Sequence, residues 1–347
     1  MHAGITQKAF PGASVAVTHR GKLVALKALG GPTYDPDDPA VNPNTIYDLA
    51  SVTKVVATTA ACMVLYERAK FRLEQRLAEV LPEFVGSDPH RTKVTLRMLL
   101  THSSGLPAYV KLFETAKDRD ELLAQAAQVA LIADPGSRTE YSDIGFILLG
   151  AALERITGEP LDAFCKREVF SKLGLQAITF QPRTESRPSI PPTENDRTFR
   201  HRVIQGEVHD ENAWVMGGVA GHAGCFATAE TVATFAECML QGGAPLFQPH
   251  TVEVFTQRQN VPTGASRALG WDTPSAPSQS GRYFSSRSYG HLGYTGTSLW
   301  IDPERRLSVT LLTNRTWPDR GSQAIKQIRP EFHDAVVEAI EGAPTTK

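Results

Sequence analysis

Two alternating apolar stretches near the start of the chain have a counterpart near its end, and this repetition most constrains the fold. Ala13–Val17 and Leu23–Leu29 meet at His19-Arg20-Gly21-Lys22, where Gly21 suits a hairpin turn. Thr297–Ile301 and Leu307–Thr313 meet at Asp302-Pro303-Glu304 in the same way. Hairpins so far apart bury their apolar faces most simply in one antiparallel sheet. Ala324–Ile340 closes the chain as a predicted helix, with Pro330 setting its start or kinking it.

The middle of the chain has a different texture. Val94–Thr101, Glu121–Ala130 and Ile144–Thr157 read as helices linked by turns such as Asp134-Pro135-Gly136. Thr53–Leu77 carries Val56, Ala60, Met63 and Val64 at helical spacing, which predicts a long, mostly buried helix with Ser51 at its start. Ala229–Leu240 predicts another helix. Gly31–Asn44 and Pro262–Ser288 read as loops, and Gln181–Asn195 as an exposed one. The expected class is therefore α+β, an antiparallel sheet flanked by the terminal helices with a mainly helical insert beside it.

A chain of 347 residues can bury a substantial core as one large domain or two ordinary ones. Lys plus Arg numbers 36 against 37 for Asp plus Glu. That balance gives no electrostatic reason to expect nucleic acid or an anionic membrane, so a small-molecule partner is expected. No apolar run reaches transmembrane length. The start, MHAGITQKAFPGASVAV, has no apolar core behind a basic end, so no signal peptide is read. As it stands the sequence reads as cytoplasmic, or as periplasmic or secreted if a leader has been removed. Cys62, Cys165, Cys225 and Cys238 form no C-x-x-C pair and are expected to be buried free thiols.

Three stretches could carry chemistry. In Ser51-Val52-Thr53-Lys54 the serine and lysine share one face at a helix start. A serine hydroxyl needs a base to become a nucleophile, and a lysine serves only when neutral, so its pKa has to be lowered by burial or a cationic neighbour. The same residues also fit an N-cap serine followed by a solvated lysine. Tyr141-Ser142-Asp143 offers a phenol for proton relay, or an aromatic beside a helix cap. His291-Leu292-Gly293-Tyr294-Thr295-Gly296-Thr297-Ser298 could bring backbone N–H groups to a ligand, or form a turn before an edge strand.

Together and in this order, these stretches resemble the serine β-lactamase and penicillin-binding protein superfamily, class C in particular. Phe-Pro-Gly-Ala-Ser-Val-Ala-Val at 10–17, Leu99-Leu100-Thr101-His102-Ser103-Ser104-Gly105-Leu106-Pro107 and Pro135-Gly136 add to the match. It runs from about residue 10 to beyond 310 and includes carboxylesterases and D-Ala-D-Ala peptidases of the same fold. The resemblance implies an α/β sandwich from residues 1–90 and 225–347, an all-helical domain from 91–224, and an active site between them. It assigns Ser51 as nucleophile and Lys54 and Tyr141 as the proton-handling pair. The N–H groups of Ser51 and Tyr294 become the oxyanion hole, with Asp143, His291 and Gly293 beside the substrate. It implies no cofactor, and a small ester, peptide or β-lactam as substrate.

Two positions depart from the family pattern. Asp143 stands where Asn is commonest, so a group that both donates and accepts becomes one that only accepts and is charged. His291 stands where β-lactamases usually hold Lys, and it would hold a substrate carboxylate less strongly. Both changes lower the local positive charge. Poor turnover of β-lactams and better activity on esters or peptide-like amides is the expectation.

Other signals are weaker. His209-Asp210-Glu211 followed by His222 invites a metal, but its spacing matches no H-E-x-x-H helix, so no metal is expected and the segment is read as a wall of the site. No G-x-S-x-G, Walker A loop or G-x-G-x-x-G is present. His102 is read as structural. The alternative function is a slow or inactive penicillin-binding, peptidoglycan-sensing module on the same scaffold; oligomeric state is not legible.

Overall fold

A computed structural model describes residues 1–342. Its centre is a five-stranded antiparallel sheet built from both chain ends: β1 (Gly12–His19), β2 (Lys22–Gly30), β3 (Tyr289–Leu292), β4 (Ser298–Asp302) and β5 (Leu307–Thr313). The order is β2-β1-β5-β4-β3, so the two predicted hairpins join through β1 and β5, where Val15 faces Leu311. This is the α+β architecture that the repeated pattern implies.

Strand alternation divides the core between the two faces of the sheet. Val15, Val17, Trp300, Val309 and Leu311 pack against Ile325, Ile328 and Val337 of the closing helix. Ala16, Leu299, Ile301 and Leu312 face the larger core, where they meet Val232, Phe235 and Ala236 of the helix Ala229–Leu240. The middle helices, Leu96–Leu100, Arg119–Gln128 and Asp143–Thr157, also contribute to that larger core. All four cysteines are free and buried.

Three expectations need correction. The helix predicted over Thr53–Leu77 is present but ends early: a 3-10 turn at Ala50–Val52 leads into a π-helical stretch at Lys54–Thr59 and an α-helix, Ala60–Glu67, that stops ten residues short of expectation. Ala69 takes a positive φ of 53°, and the N–H groups of Lys70 and Phe71 fold back onto the Leu65 carbonyl. Phe71 and Leu73 are still buried, but from an irregular segment that only mimics helical spacing, and Leu77 is buried as the first residue of a separate short helix, Leu77–Val80. The loop Gln181–Asn195 is not exposed throughout: Ile190, Thr193 and Glu194 are buried, and Glu194–Asp196 pairs with Arg202–Ile204. Pro330 sits inside the helix Ile325–Glu341 rather than at its start, where its ring nitrogen offers no N–H to the preceding turn.

One close approach positions the site. Helix Asp143–Thr157 crosses the segment before His222 so tightly that a Cβ on Gly221 would lie 2.1 Å from the Phe146 carbonyl oxygen. The Gly221 carbonyl accepts from Thr58 Oγ1 at 2.7 Å, which ties the same segment to the Ser51 helix. Gly221→Ala must force these backbones apart, at a cost of about 3 kcal/mol as for other overpacked cores. Urea unfolding of the variant is the measurement; an unchanged midpoint would show that the crossing is not tight.

Candidate active site

Ser51 is displayed by a strained turn. Ala50 adopts a positive φ of 46°, unusual for a residue with a Cβ. It is held there by the buried Asp48 carboxylate, which accepts from the Ala50 N–H at 2.8 Å and from the His209 N–H at 2.7 Å. Burial raises the Asp48 pKa above its ordinary value, opposed by those two N–H donors. On the other side, Leu49 donates its N–H to the Cys225 carbonyl at 2.9 Å.

Lys54 lies beneath Ser51 and is fully buried. Its Nζ has three acceptors, one for each ammonium hydrogen: Asp143 Oδ1 at 2.6 Å, the His222 carbonyl at 2.9 Å and Ser51 Oγ at 3.0 Å. The nitrogen also stands 5.0 Å from the centre of the Tyr141 ring. Burial alone would push the lysine toward neutrality, but the charge of Asp143 and the nearby Tyr141 outweigh it, and its pKa is raised. Burial acts in the expected direction, but the expected net lowering is not found. Burial likewise raises the Tyr141 pKa, against the pull of Lys54. At rest the pair is ammonium and phenol.

Tyr141 is positioned from below by the Thr101–Pro107 segment. His102, itself at a positive φ of 56°, accepts the Ser142 N–H on Nδ1 at 3.0 Å, and its ring lies 4.6 Å from that of Tyr141. Ser142 donates its hydroxyl to the Pro107 carbonyl at 2.7 Å and accepts the Gly145 N–H at 3.0 Å, capping the helix that starts at Asp143. His102 is thus a prop for the Tyr141 loop, as the sequence reading has it.

The strand β3 forms the facing wall. His291 donates from Nδ1 to the Leu292 carbonyl at 2.8 Å, which leaves Nε2 as a bare acceptor, buried and without a partner among the described residues. Burial, with the charges of Lys54 and Arg267, holds its pKa well below the ordinary histidine value. A neutral ring that presents a lone pair does not attract a carboxylate at all, a stronger statement than the weak hold expected from sequence. Gly293 is required by contact: a Cβ there would meet Thr297 Oγ1 at 1.9 Å and the Leu49 carbonyl at 2.5 Å. The N–H groups of Ser51 and Tyr294 have no acceptor among the described residues.

Ser51, Tyr141, Asp143, His291, Gly293 and Tyr294 line one cavity of about 560 Å³, with Lys54 just behind its wall. The structure therefore gathers every sequence-predicted site residue in one place. His209, Asp210 and His222 line it too, held by hydrogen bonds: His209 to Glu194 at 2.8 Å and His222 to Asp210 at 2.7 Å. Burial would raise the Glu194 carboxyl, but His209 and Arg320 hold its pKa down at about 2. Sequence reading missed Tyr109, Lys111, Arg267 and Arg320, which also line the cavity. None belongs to a motif, and Arg267 comes from the polar loop whose course the sequence does not reveal.

The β-lactamase family model matches residues 1–329 of this chain. The chain belongs to the β-lactamase family. Among its relatives is a candidate D-alanyl-D-alanine carboxypeptidase of Escherichia coli K12, 33% identical over 343 residues, covering 88% of this chain and 79% of that protein. The N-acetylmuramyl-L-alanine amidase of Bacillus subtilis 168 is also 33% identical over 343 residues, covering 88% and 77%. The octameric penicillin-binding protein homologue of Pyrococcus abyssi superposes with a TM-score of 0.78 at 20% identity, covering 98% of this chain and 76% of that one. A serine hydrolase of the β-lactamase fold is the general kind into which this member of the family fits. No helix among the described residues is long and apolar enough to cross a membrane.

Three buried histidines make this family member acid-sensitive. His102 and His291 have pKa values well below 6.5, and His333 is held at about 3, all chiefly by burial. Above 6.5 they are neutral in both folded and unfolded chains. Below it the unfolded chain takes up protons that the folded one refuses, so stability is lost as pH falls from about 6.5 toward the depressed folded values. Each histidine costs about 1.4 kcal/mol per pH unit across that window. Urea midpoints measured at about pH 7 and about pH 5 are expected to fall steeply; a flat profile would mean the rings are not kept neutral.

Proposed function

We propose that the protein is an acyl-enzyme hydrolase of small peptidoglycan-type amides, with Ser51 as the nucleophile. The observation that carries this reading is the Lys54 ammonium bridging Ser51 Oγ and Asp143 at the floor of the cavity. Ser51 Oγ attacks the carbonyl and loses its proton to the Lys54–Tyr141 pair in its singly deprotonated form, which later delivers that proton to the leaving nitrogen. The carbonyl oxygen, now an anion, takes the unpaired N–H groups of Ser51 and Tyr294. Water then releases the acyl group from Ser51. Residues 1–90 and 225–347 supply Ser51, His291 and Tyr294, while 91–224 supplies Tyr109, Tyr141 and His209, which supports a two-domain site.

Two observations support amides over β-lactams. The two curated relatives named above carry the names of amide hydrolases. The neutral His291 lacks the charge with which the family's usual lysine would meet a β-lactam carboxylate. Ser51→Ala is expected to lower turnover of a p-nitrophenyl ester by at least about a thousandfold. Wild type should also hydrolyse that ester faster than a chromogenic cephalosporin. Turnover that survives Ser51→Ala moves the nucleophile elsewhere, and faster cephalosporin hydrolysis overturns the substrate preference.

Asp143 tunes the base. Because it raises the Lys54 pKa, the deprotonated form of the Lys54–Tyr141 pair becomes populated only as pH rises, and acylation should climb with it. In Asp143→Asn the negative charge is gone, so that climb should move to lower pH. Pre-steady-state ester acylation across a pH series reads it directly. A profile that stays in place would exclude Asp143 as the group that sets the titration.

A further inference from the structure

We propose that the buried guanidinium of Arg329 binds a small inorganic monoanion of chloride's size, at a site separate from the Ser51 cavity. The proposal does not depend on the acyl-enzyme reading. Arg329 belongs to the closing helix Ile325–Glu341 and is only 4% exposed. Its Nη1 donates to Gln279 Oε1 at 2.9 Å, while its Nε is buried and without a partner among the described residues. Gln279 is a neutral amide, so that bond satisfies a hydrogen without cancelling the charge. Burial, with the charge of Arg315, lowers the Arg329 pKa to about 9, which still leaves it a cation at neutral pH.

The other buried cations are compensated. Lys54 has Asp143, and Arg200 pairs with Asp196 at 3.2 Å. Arg91 spends its fork on the carbonyls of Phe84, Ala127 and Val129. Arg315 donates to the carbonyls of Tyr294 at 2.7 Å and Ser322 at 3.1 Å. Arg329 has neither a carboxylate nor a set of carbonyls among the described residues. Asp334, in the next turn of the same helix, is taken by Arg282, whose backbone N–H and Nε it accepts at 2.6 and 2.8 Å. His333, one turn on, donates from Nδ1 to the Gln279 carbonyl at 2.9 Å and is neutral, so it supplies no counter-charge. The charge that does act on Arg329 is that of another cation, Arg315.

A charge taken out of water with no partner is strongly destabilising, and an anion held by the folded chain alone offsets that cost. One uncompensated guanidinium calls for one negative charge. The near-complete burial excludes a bulky organic acid, and the spare N–H donor calls for an acceptor that brings no donor of its own. A halide meets all three conditions. It would also relieve the repulsion between Arg329 and Arg315. Because Arg315 donates to the Tyr294 carbonyl, the ion would add support behind the turn whose Tyr294 N–H faces the Ser51 cavity.

The test compares urea unfolding in sodium chloride with unfolding in sodium gluconate, whose anion is too large to enter, at equal ionic strength and neutral pH. With chloride at about ten times its dissociation constant, the ratio of folded to unfolded wild type should be about tenfold higher than in gluconate. Arg329→Met removes the charge and keeps the length, so it should lose the chloride response and be at least as stable as wild type in gluconate. Equal wild-type midpoints in the two salts overturn the proposal, and so does a chloride response that survives in Arg329→Met. Wild-type crystals grown in sodium bromide should show an anomalous peak beside Arg329 Nε. A map without that peak overturns the site even if the methionine variant does not fold.

Discussion

The seating of the Gly293–Thr297 turn on the backbone just before Ser51 is the contact on which the site depends. Thr297 donates its hydroxyl to the Leu49 carbonyl and Thr295 donates to the Asp48 carbonyl, both at 2.8 Å. Gly293 lies so close to Leu49 that no side chain fits between them. These bonds join the edge of the sheet to the strained turn at Ala50 and bring the N–H groups of Ser51 and Tyr294 to the same cavity. Buried carbonyls at this point need donors, and the threonines supply them where regular secondary structure cannot. Strain at Ala50 persists because the chain on both flanks is held: the threonines and the Cys225 carbonyl fix Asp48 and Leu49 before it, and the Cys225 N–H donates to Thr53 Oγ1 after it.

A second constraint is electrostatic. Taking a lysine out of water is unfavourable unless each hydrogen finds an acceptor, and Lys54 finds three. Two of them come from segments far away in sequence, Asp143 and the carbonyl of His222. The glycine crossing at Gly221 and Phe146 exists to let those segments approach. The core packing of the middle helices and the charge state of the site are therefore one problem. A helix a few tenths of an ångström further out would leave the ammonium short of an acceptor.

The parts legible in the sequence are those set by local pattern. Both hairpins and the helices Ala229–Leu240 and Asp143–Thr157 follow from periodicity and caps, and they fall within a residue or two of expectation. The catalytic candidates were legible because three spaced motifs resemble a known family, not because any one of them is diagnostic. What stayed hidden depends on non-local contact. Burial of Phe71 and Leu73 mimics a helix because apolar spacing does not say which backbone presents it. The direction of the Lys54 pKa shift needed the 2.6 Å contact with Asp143, which lies 89 residues away. Arg267 carries no local signal, since its environment is made by Tyr141 and Asp272.

The two departures from the family pattern make sense together. With Asn and Lys at these positions, the site would carry the ammonium of Lys54 and a second cation on the strand. Here Asp143 neutralises Lys54 and the histidine on the strand is uncharged, so both of those positive charges are cancelled or absent. Arg267 returns one positive charge to the cavity, but on a different loop and against the ring of Tyr141. Coulomb interactions inside a half-enclosed cavity are strong enough that relocating a charge changes where an anionic substrate group rests. The total charge facing the cavity is thus less informative than its position, which is here not the strand that carries His291 but the loop that lies over the Tyr141 ring.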